Sequence, residues 1–364
     1  MGSRADSLIT YHYLTMSDIA KIVTEQGDLL RVMIVGMISF LLAMFLTPLW
    51  TTVLYKYKFW KQAKEETLYG SYATVFQKLH GEKHQRNIPT LAGPLVWGVV
   101  AVITLIFNFT RSQTWLPMFA MVAVGILGAI DDWFNIRGIG GVKGIRARHK
   151  MAWLFVIAAL GAWWFFSKLG INSIHIPAYG DIVIGWWYIP LFIFVILATT
   201  NAVNITDGLD GLSAGLLGIA FSAFGVLAFL NNQISLAIFC ITVVGALVAY
   251  LWFNVYPDRF FGGDTYALSM GATLGVVAML LKNNVGIALL PLIAFVPMVE
   301  TISVLLQMLW RKAFKKKLFL IAPLHHHFEA IGWPETKVTM RFWIVGALMA
   351  ICGVIIGLIG SGPS

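Results

Sequence analysis

Ten long apolar runs dominate this chain and exclude most folds other than a membrane-embedded one. Each run is long enough to cross about 30 Å of hydrocarbon as a helix. They lie near residues 33–54, 91–110, 115–131, 151–168, 184–200, 211–230, 235–253, 265–281, 285–307 and 340–360. Only 12% of the residues are charged, against about 25% in a typical soluble domain. We therefore expect an all-α integral membrane protein with about ten transmembrane helices.

Basic residues are distributed unevenly among the loops that join these runs. Of the 26 lysines and arginines, 19 lie in alternate loops, namely 55–90, 132–150, 201–210, 254–264 and 308–339. Because cytoplasmic loops carry an excess of such residues, these loops are predicted to face the cytoplasm and both termini the outside. This topology also explains the net charge of +9, so nucleic acid is not an expected partner. We expect an N-terminal segment over 1–32 and a single polytopic domain over 33–364.

One outer segment has the pattern of a β-hairpin. Residues 172–186 alternate in polarity around a turn at Tyr179-Gly180-Asp181, which predicts two short strands on the outer face. His175 in this segment is expected to be a solvated strand residue rather than a ligand.

The most informative polar stretch is Asn201-Ala-Val-Asn-Ile-Thr-Asp-Gly-Leu-Asp-Gly-Leu212, which separates two apolar runs. Polar groups at the end of a membrane span are costly unless they bind something. Amides and carboxylates spaced three apart lie on one side of a helix end or turn, and the glycines let backbone approach a ligand closely. A loop built from turn-forming residues is the simpler alternative.

Two further islands carry carboxylates at predicted span ends on the same side. The adjacent Asp131 and Asp132 repel each other, and a divalent cation such as Mg²⁺ would relieve this while leaving positions for phosphate oxygens. The glycines Gly262 and Gly263 before Asp264 allow the backbone to approach a phosphate or a base closely. The ring of Phe261 could stack on a planar ring of the ligand. The simpler alternative for Asp131-Asp132 is a polar end of a membrane span. For the segment before Asp264 it is an ordinary turn between two helices.

The fourth island is the triplet His325-His326-His327. Neighbouring residues on a helix point about 100° apart, which is poor spacing for one metal ion, so hydrogen bonding to phosphates or sugar is the preferred interpretation. A solvated loop is the alternative. Taken together, the four islands predict a metal-dependent phosphoryl-transfer site at the cytoplasmic membrane surface.

These motifs resemble those of the polyprenyl-phosphate N-acetylhexosamine-1-phosphate transferases, over residues 33 to 360. Three features match the superfamily: the pair Asp131-Asp132, the stretch from Asn201 to Leu212, and Asp264. The segments that resemble its phospho-N-acetylmuramoyl-pentapeptide transferase branch are Pro323-Leu-His-His-His-Phe-Glu329, Gly332-Trp-Pro-Glu335, Arg341-Phe-Trp343 and Glu300-Thr-Ile-Ser-Val-Leu-Leu-Gln307.

The resemblance implies a homodimer in the bacterial inner membrane with a cytoplasmic active site. It implies transfer of phospho-MurNAc-pentapeptide from its UDP carrier to undecaprenyl phosphate, which gives lipid I and UMP in peptidoglycan synthesis and requires Mg²⁺. The implied catalytic residues are Asp131, Asp132, Asp264 and His325, with the three aspartates at the metal and Asp131 the candidate base. The implied substrate-binding residues are Thr90, Lys143, Asn204, Asp207, Asp210, Phe261, Gln307, His326 and His327, of which Asp210 would bond uracil and Phe261 stack on it.

Two other functions are compatible with parts of this pattern. A sister transferase that uses UDP-N-acetylglucosamine would share the aspartates but should lack the histidine triplet. A transporter would also have many spans and intramembrane carboxylates, but it predicts charges near the bilayer midplane or inverted repeats. Here the carboxylates cluster at span ends.

Overall fold

Helices account for nearly all regular structure in the computed structural model, which describes residues 16–60, 88–110, 112–138, 144–281 and 285–360. In chain order they are α1 (Met16–Lys56), α2 (Gly93–Phe107), α3 (Trp115–Arg137), α4 (Ala147–Lys168), α5 (Tyr188–Thr206), α6 (Leu212–Leu230), α7 (Ile234–Asn254), α8 (Asp264–Leu280), α9 (Val285–Ile293), α10 (Phe295–Phe314), α11 (Leu324–Ala330) and α12 (Glu335–Gly360). Two strands, β1 (Ser173–Ile176) and β2 (Gly180–Val183), join α4 to α5 through a short 3₁₀ turn.

Seven of the described helices have the length and apolarity of a membrane span, and the bent pair α9–α10 provides an eighth. The shorter apolar helices α2 and α8 occupy the two remaining predicted runs. The chain is therefore a multi-pass membrane protein, and every predicted run coincides with a described helix. The number of ten spans and the outside position of the termini stay predictions.

Several helix ends differ from the ends of the apolar runs. Helix α1 begins at Met16 rather than near residue 33, α3 continues past Asp132 to Arg137, and α4 already begins at Ala147. Hydropathy marks only the part of a helix that lies in hydrocarbon, whereas backbone hydrogen bonding continues into the polar interface. As a result Lys150, assigned from sequence to a loop, belongs to the first turn of α4.

The predicted run 285–307 is not one straight helix. It consists of α9 and α10, whose axes differ by 73°. Pro291 lies inside α9 and Pro297 near the start of α10. Proline has no N–H for the helical ladder and its ring crowds the preceding turn, so the two prolines around the break account for the bend.

Helix α8 is the centre of the bundle. All of its residues from Thr265 onward are buried. Small residues allow neighbouring backbones to approach it closely: Gly128 of α3 lies against the backbone of Thr265, and Gly271 of α8 lies against α5 at Thr200. The N-terminus of α8, where Asp264 stands, is therefore fixed between several packed helices.

A hairpin forms in the predicted segment, but its turn lies at residues 177–179, before Gly180 and Asp181, which belong to β2, and one of its residues was misjudged. Ser173 pairs with Val183 and Ile176 with Gly180 in antiparallel register. The prediction that His175 is solvated is wrong, because its side chain is only 13% exposed. Its Nδ1 lies 2.6 Å from Oδ1 of Asp181 and its Nε2 lies 3.0 Å from the carbonyl oxygen of Gly360 at the end of α12. The hydrogen bond to the Asp181 carboxylate raises the pKa of His175 above its ordinary value.

Candidate active site

Lys150 forms ion pairs with two of the predicted metal-binding aspartates. Its Nζ lies 2.7 Å from Oδ2 of Asp131 on α3, and it is also paired with Oδ2 of Asp264 at the start of α8. Asp131 accepts a further hydrogen bond from the backbone N–H of Ile145. Two carboxylates this close repel each other when buried unless a cation lies between them. The ammonium of Lys150 supplies that charge where three helices meet.

Asp132 faces the N-terminus of α8. Its Oδ2 accepts a 3.0 Å hydrogen bond from the backbone N–H of Thr265, one of the donors that a helix start leaves without an internal partner. Gly263 precedes this turn with φ of 75°, and a Cβ there would collide with the Asp132 carboxylate and with Oγ1 of Thr90. Asp132 therefore caps α8 in addition to any metal role.

Thr90 lies in the wall next to Asp132. It is buried, and its Oγ1 has no hydrogen-bond partner within the described part of the chain. Its backbone N–H bonds the carbonyl of Phe59 at 2.7 Å, which fixes the segment. A buried hydroxyl without a partner is costly, so this position favours the predicted substrate contact.

The stretch from Asn201 to Leu212 lies at the same end of the bundle as Asp264. Helices α5 and α8 are antiparallel, since Gly271 lies against Thr200 while Gly275 lies against Ile196. With a rise of about 1.5 Å per residue, Asp207 and Asp264 stand at about the same level. The helix ends at Thr206, which leaves Asn204 in its last turn and Asp207 in the following turn, as predicted.

Asp210 is held by three residues from two parts of the chain. Its Oδ2 accepts the backbone N–H of Asp258 at 3.2 Å, and its own N–H donates to Oε1 of Glu335 at 2.7 Å. Its carbonyl accepts the hydroxyl of Thr339 at 3.4 Å. The start of α12 therefore fixes the loop that carries the predicted uracil contact.

Phe261 lies beside the segment that carries Thr90. Its backbone N–H bonds the carbonyl of Pro89 at 2.8 Å, and its carbonyl accepts the N–H of Ala92 at 3.1 Å. The ring is partly exposed. Because the N–H of Asp258, three residues earlier, donates to Asp210, the predicted uracil-bonding residue contacts the short segment that carries the predicted uracil-stacking residue.

The three histidines lie on the short helix α11, and each has a different partner. His325 is fully buried against Glu300 of α10, with Nδ1 3.2 Å from Oε2. His326 Nδ1 lies 2.8 Å from Oε2 of Glu329. His327 Nδ1 accepts a backbone N–H from the preceding loop at 3.2 Å. Divergent partners agree with the interpretation that the triplet is not a shared metal site.

Gln307 has a structural task that the sequence did not indicate. Its Nε2 donates to the carbonyl of Phe319 at 3.0 Å, and its Oε1 accepts the N–H groups of Leu318 and Phe319 at 2.9 Å. The carboxamide is thus engaged by the loop that joins α10 to α11. This gives Gln307 a loop-positioning role, and its direct substrate contact stays a prediction.

Several predicted residues come together and one cannot be placed. Asp131, Asp132, Asp264 and Thr90 form one cluster, whereas Lys143 lies outside the described residues. Lys150 was not predicted as a site residue, because the apolar run was taken to begin at residue 151 and Lys150 was therefore assigned to a basic loop. The useful indication was its position: a lysine directly before an apolar run, in a loop that begins with two carboxylates, is well placed to pair with them.

The donor set suits a hard divalent cation, although no ready-made ligand cage is present. Over the described ranges, no three acidic, histidine or cysteine side chains are grouped tightly enough to hold a metal ion. Instead, Asp131 and Asp264 direct carboxylate oxygens at a single cationic group. Mg²⁺ typically uses one or two carboxylates together with substrate phosphates, so these two residues fit it.

The comparisons with known proteins agree with these features. A profile of the family described as Glycosyl transferase family 4 matches residues 114–282. A phospho-N-acetylmuramoyl-pentapeptide-transferase of Chloroflexus aggregans is 35% identical over 352 residues, which cover 92% of each chain. Proteins of the same name from a Geobacillus species and from Bacillus anthracis are 36% and 35% identical, and the matches cover 90% and 92% of this chain and 98% and 99% of theirs.

Proposed function

This chain belongs to the phospho-N-acetylmuramoyl-pentapeptide transferase family, and we propose that it transfers phospho-MurNAc-pentapeptide from UDP-MurNAc-pentapeptide to undecaprenyl phosphate. The products are lipid I and UMP. The observation that carries this proposal is the convergence of Asp131, Lys150 and Asp264 at the start of a buried helix.

The reaction exchanges one phosphoanhydride bond for another. A phosphate oxygen of undecaprenyl phosphate forms a bond with the sugar-bearing phosphorus, and the bond from that phosphorus to the bridging oxygen breaks, so that UMP leaves. Such transfers depend on positioning and on neutralising negative charge. Lys150 contributes positive charge at this place, and Thr90 contributes a hydroxyl.

We assign Mg²⁺ to Asp264 and Asp131, with Asp132 nearby. The ion, when bound, would neutralise charge on the diphosphate. Asp131 already accepts hydrogen bonds from Ile145 at Oδ1 and from Lys150 at Oδ2, so both of its carboxylate oxygens are engaged by donors. This arrangement supports holding the cation and orienting the acceptor phosphate over acting as a strong base.

The donor is proposed to lie across the loops between α5, α6 and α8. Asp210 and Phe261 would bind the uracil, with Asn204 and Asp207 near the diphosphate. His325, His326 and His327 would line the phosphate and sugar region. Support comes from their placement around one end of the bundle, and from the buried contacts that hold Asp210.

The acceptor tail is proposed to lie in an apolar groove of about 630 Å³ between α5 and the bent pair α9–α10. Its walls include Leu191, Phe194, Pro297, Ile302 and Leu305, and its polar end reaches Asn201. Phe194 and Leu305 are largely exposed, as side chains that face lipid would be. A polyprenyl chain would therefore place its phosphate near the polar end of α5.

The site is proposed to face the cytoplasm of a bacterial inner membrane, in a homodimer with both termini outside. The Lys and Arg excess in the loops around the site supports this orientation. UDP-linked donors are cytoplasmic metabolites, which agrees with it. Residues 33–364 would form one polytopic domain.

The test is a donor competition assay with the purified protein in lipid nanodiscs. We expect UMP release from UDP-MurNAc-pentapeptide only when undecaprenyl phosphate and Mg²⁺ are both present. UDP-N-acetylglucosamine should neither replace the donor nor compete at similar concentration. Equal use of both donors would instead favour the sister transferase, and no UMP release from either would reject the assignment.

A further inference from the structure

Glu300 is a carboxylate inside the apolar part of α10, and it is fully buried. An acidic side chain in a membrane helix is costly and is retained mainly where it pairs with another group. The reaction proposed above gives Glu300 no role. Its contacts therefore indicate what it does.

Glu300 contacts His325 in two ways. Its Oε1 accepts the backbone N–H of His325 at 3.1 Å, and its Oε2 lies 3.2 Å from Nδ1 of the same residue. The first contact fixes the start of α11, and the second places the carboxylate beside Nδ1 at ion-pair distance, without the alignment of a hydrogen bond. His325 is itself fully buried, so the ring has little freedom to turn away.

The opposite edge of the ring faces the turn after α5. Nε2 of His325 lies directly against Gly208, where a Cβ atom would collide with it. This nitrogen has no hydrogen-bond partner in the part of the chain that the structure describes. Gly208 follows Asp207, one of the residues assigned to the diphosphate region.

We propose that Glu300 is a positioning residue for His325, which it holds so that Nε2 meets the sugar-phosphate part of the donor beside Gly208. This inference rests on the proposed function and adds a residue that selects the sugar-phosphate over a bare nucleotide. The nitrogen that a histidine presents is set by the partner of its other nitrogen. Loss of such a supporting partner typically costs about 10- to 100-fold in binding or activity at metal-bound histidines.

The experiment compares Glu300→Met, Glu300→Gln, His325→Ala and the double variant Glu300→Met/His325→Ala in nanodiscs. Kd is measured for UMP and for UDP-MurNAc-pentapeptide, together with kcat and KM for both substrates. Ser303→Ala is the matched control, because its hydroxyl bonds the backbone carbonyl of Glu300 at 2.7 Å on the same helix rather than the carboxylate that faces His325. It should retain wild-type values.

Glu300→Met is expected to lower kcat/KM for the donor by about 10- to 100-fold, with UMP affinity and the KM for undecaprenyl phosphate within about twofold of wild type. Glu300→Gln, which keeps an acceptor oxygen, should recover part of the loss. The double variant should be no worse than His325→Ala, because residues that act through one another are not additive.

Two results would overturn the inference while leaving the proposed function in place. The first is a double variant in which the separate losses of kcat/KM caused by Glu300→Met and His325→Ala multiply. The other is a fall in UMP affinity equal to the fall in donor affinity, since this would indicate general misfolding. A wild-type protein that turns over no UDP-MurNAc-pentapeptide would reject both proposals together.

Discussion

Lys150 is ion-paired with Asp131 at 2.7 Å, across the facing ends of two consecutive helices. The same ammonium also reaches Asp264, which lies 114 positions further along the chain. A lysine in this place performs part of the charge neutralisation that a divalent cation would perform. The Lys150 ammonium and a divalent cation are attracted by the same carboxylate oxygens of Asp131 and Asp264, so their effects on stability should be linked.

Replacing Lys150 with Met should make the protein depend on Mg²⁺ for stability. Breaking a buried ion pair by removing one partner costs roughly 3–5 kcal/mol, which for a chain of this size corresponds to a melting temperature lower by about 5 °C or more. Mg²⁺ at millimolar concentration should restore most of that difference while it shifts the wild type less. Thermal unfolding in nanodiscs with and without Mg²⁺ measures both quantities.

Lys168→Met is the control, because Lys168 is at the other end of α4 and lies over the ring of Trp163 at 5.8 Å. Its melting temperature should stay near that of the wild type at any Mg²⁺ concentration. Equal melting temperatures for Lys150→Met and the wild type would contradict the structural importance of the bridge.

Asp264→Asn should abolish turnover while the protein stays folded. The amide keeps the shape of the side chain but removes the charge that a cation and Lys150 require, and we expect kcat to fall by about 1,000-fold or more. UMP release is the readout, with circular dichroism to check folding. Glu25→Gln, an exposed substitution near the start of α1, should be neutral; a near-normal rate for Asp264→Asn would reject its role.

Gly208→Ala should impair donor use because the added methyl group needs the space of His325 Nε2. We expect a loss in kcat/KM of about 10- to 100-fold, equivalent to roughly 1.4–2.7 kcal/mol. Gly218→Ala is the matched control, since a Cβ at that helical position meets nothing within 4 Å. Identical kinetics for the two variants would show that the contact between Gly208 and His325 is unimportant.

The hairpin should stabilise the protein at acidic more than at alkaline pH. The Asp181 carboxylate raises the pKa of His175 above its ordinary value of 6.5, so protonation favours the folded state. That contribution is complete below pH 6.5 and is lost as the pH rises through the raised pKa. Asp181→Asn should therefore melt on the order of 1 °C below the wild type at about pH 6 and together with it at about pH 9. A difference that grows with pH would have the wrong sign.

Apolar runs and charge distribution were sufficient to locate the helices, because the bilayer requires long apolar segments with internally bonded backbones. They also located the polar islands that meet at one end of the bundle. The hairpin at Tyr179 followed from alternation and turn residues. These are properties of neighbouring residues, which a single sequence displays directly.

Contacts between distant residues were not accessible in the same way. Nothing local to Lys150 identifies Asp264 as its partner, and nothing near Glu300 points to His325. The substrate role of Gln307 was taken from the family resemblance, and the sequence did not show that its carboxamide bonds the loop at Leu318 and Phe319. The bend between α9 and α10 was also missed, since hydropathy is continuous across it.

That bend has a consequence for how the enzyme meets its acceptor. Because the two helix axes diverge by 73°, we expect the wall of the proposed acceptor groove to open sideways into the hydrocarbon instead of toward water. On the proposed function, a polyprenyl chain that enters there would stay within the leaflet, and so would its glycosylated product. Supply of the acceptor is then governed by its mole fraction in a two-dimensional film, so diluting the carrier with inert phospholipid should slow the reaction even when its total amount is unchanged.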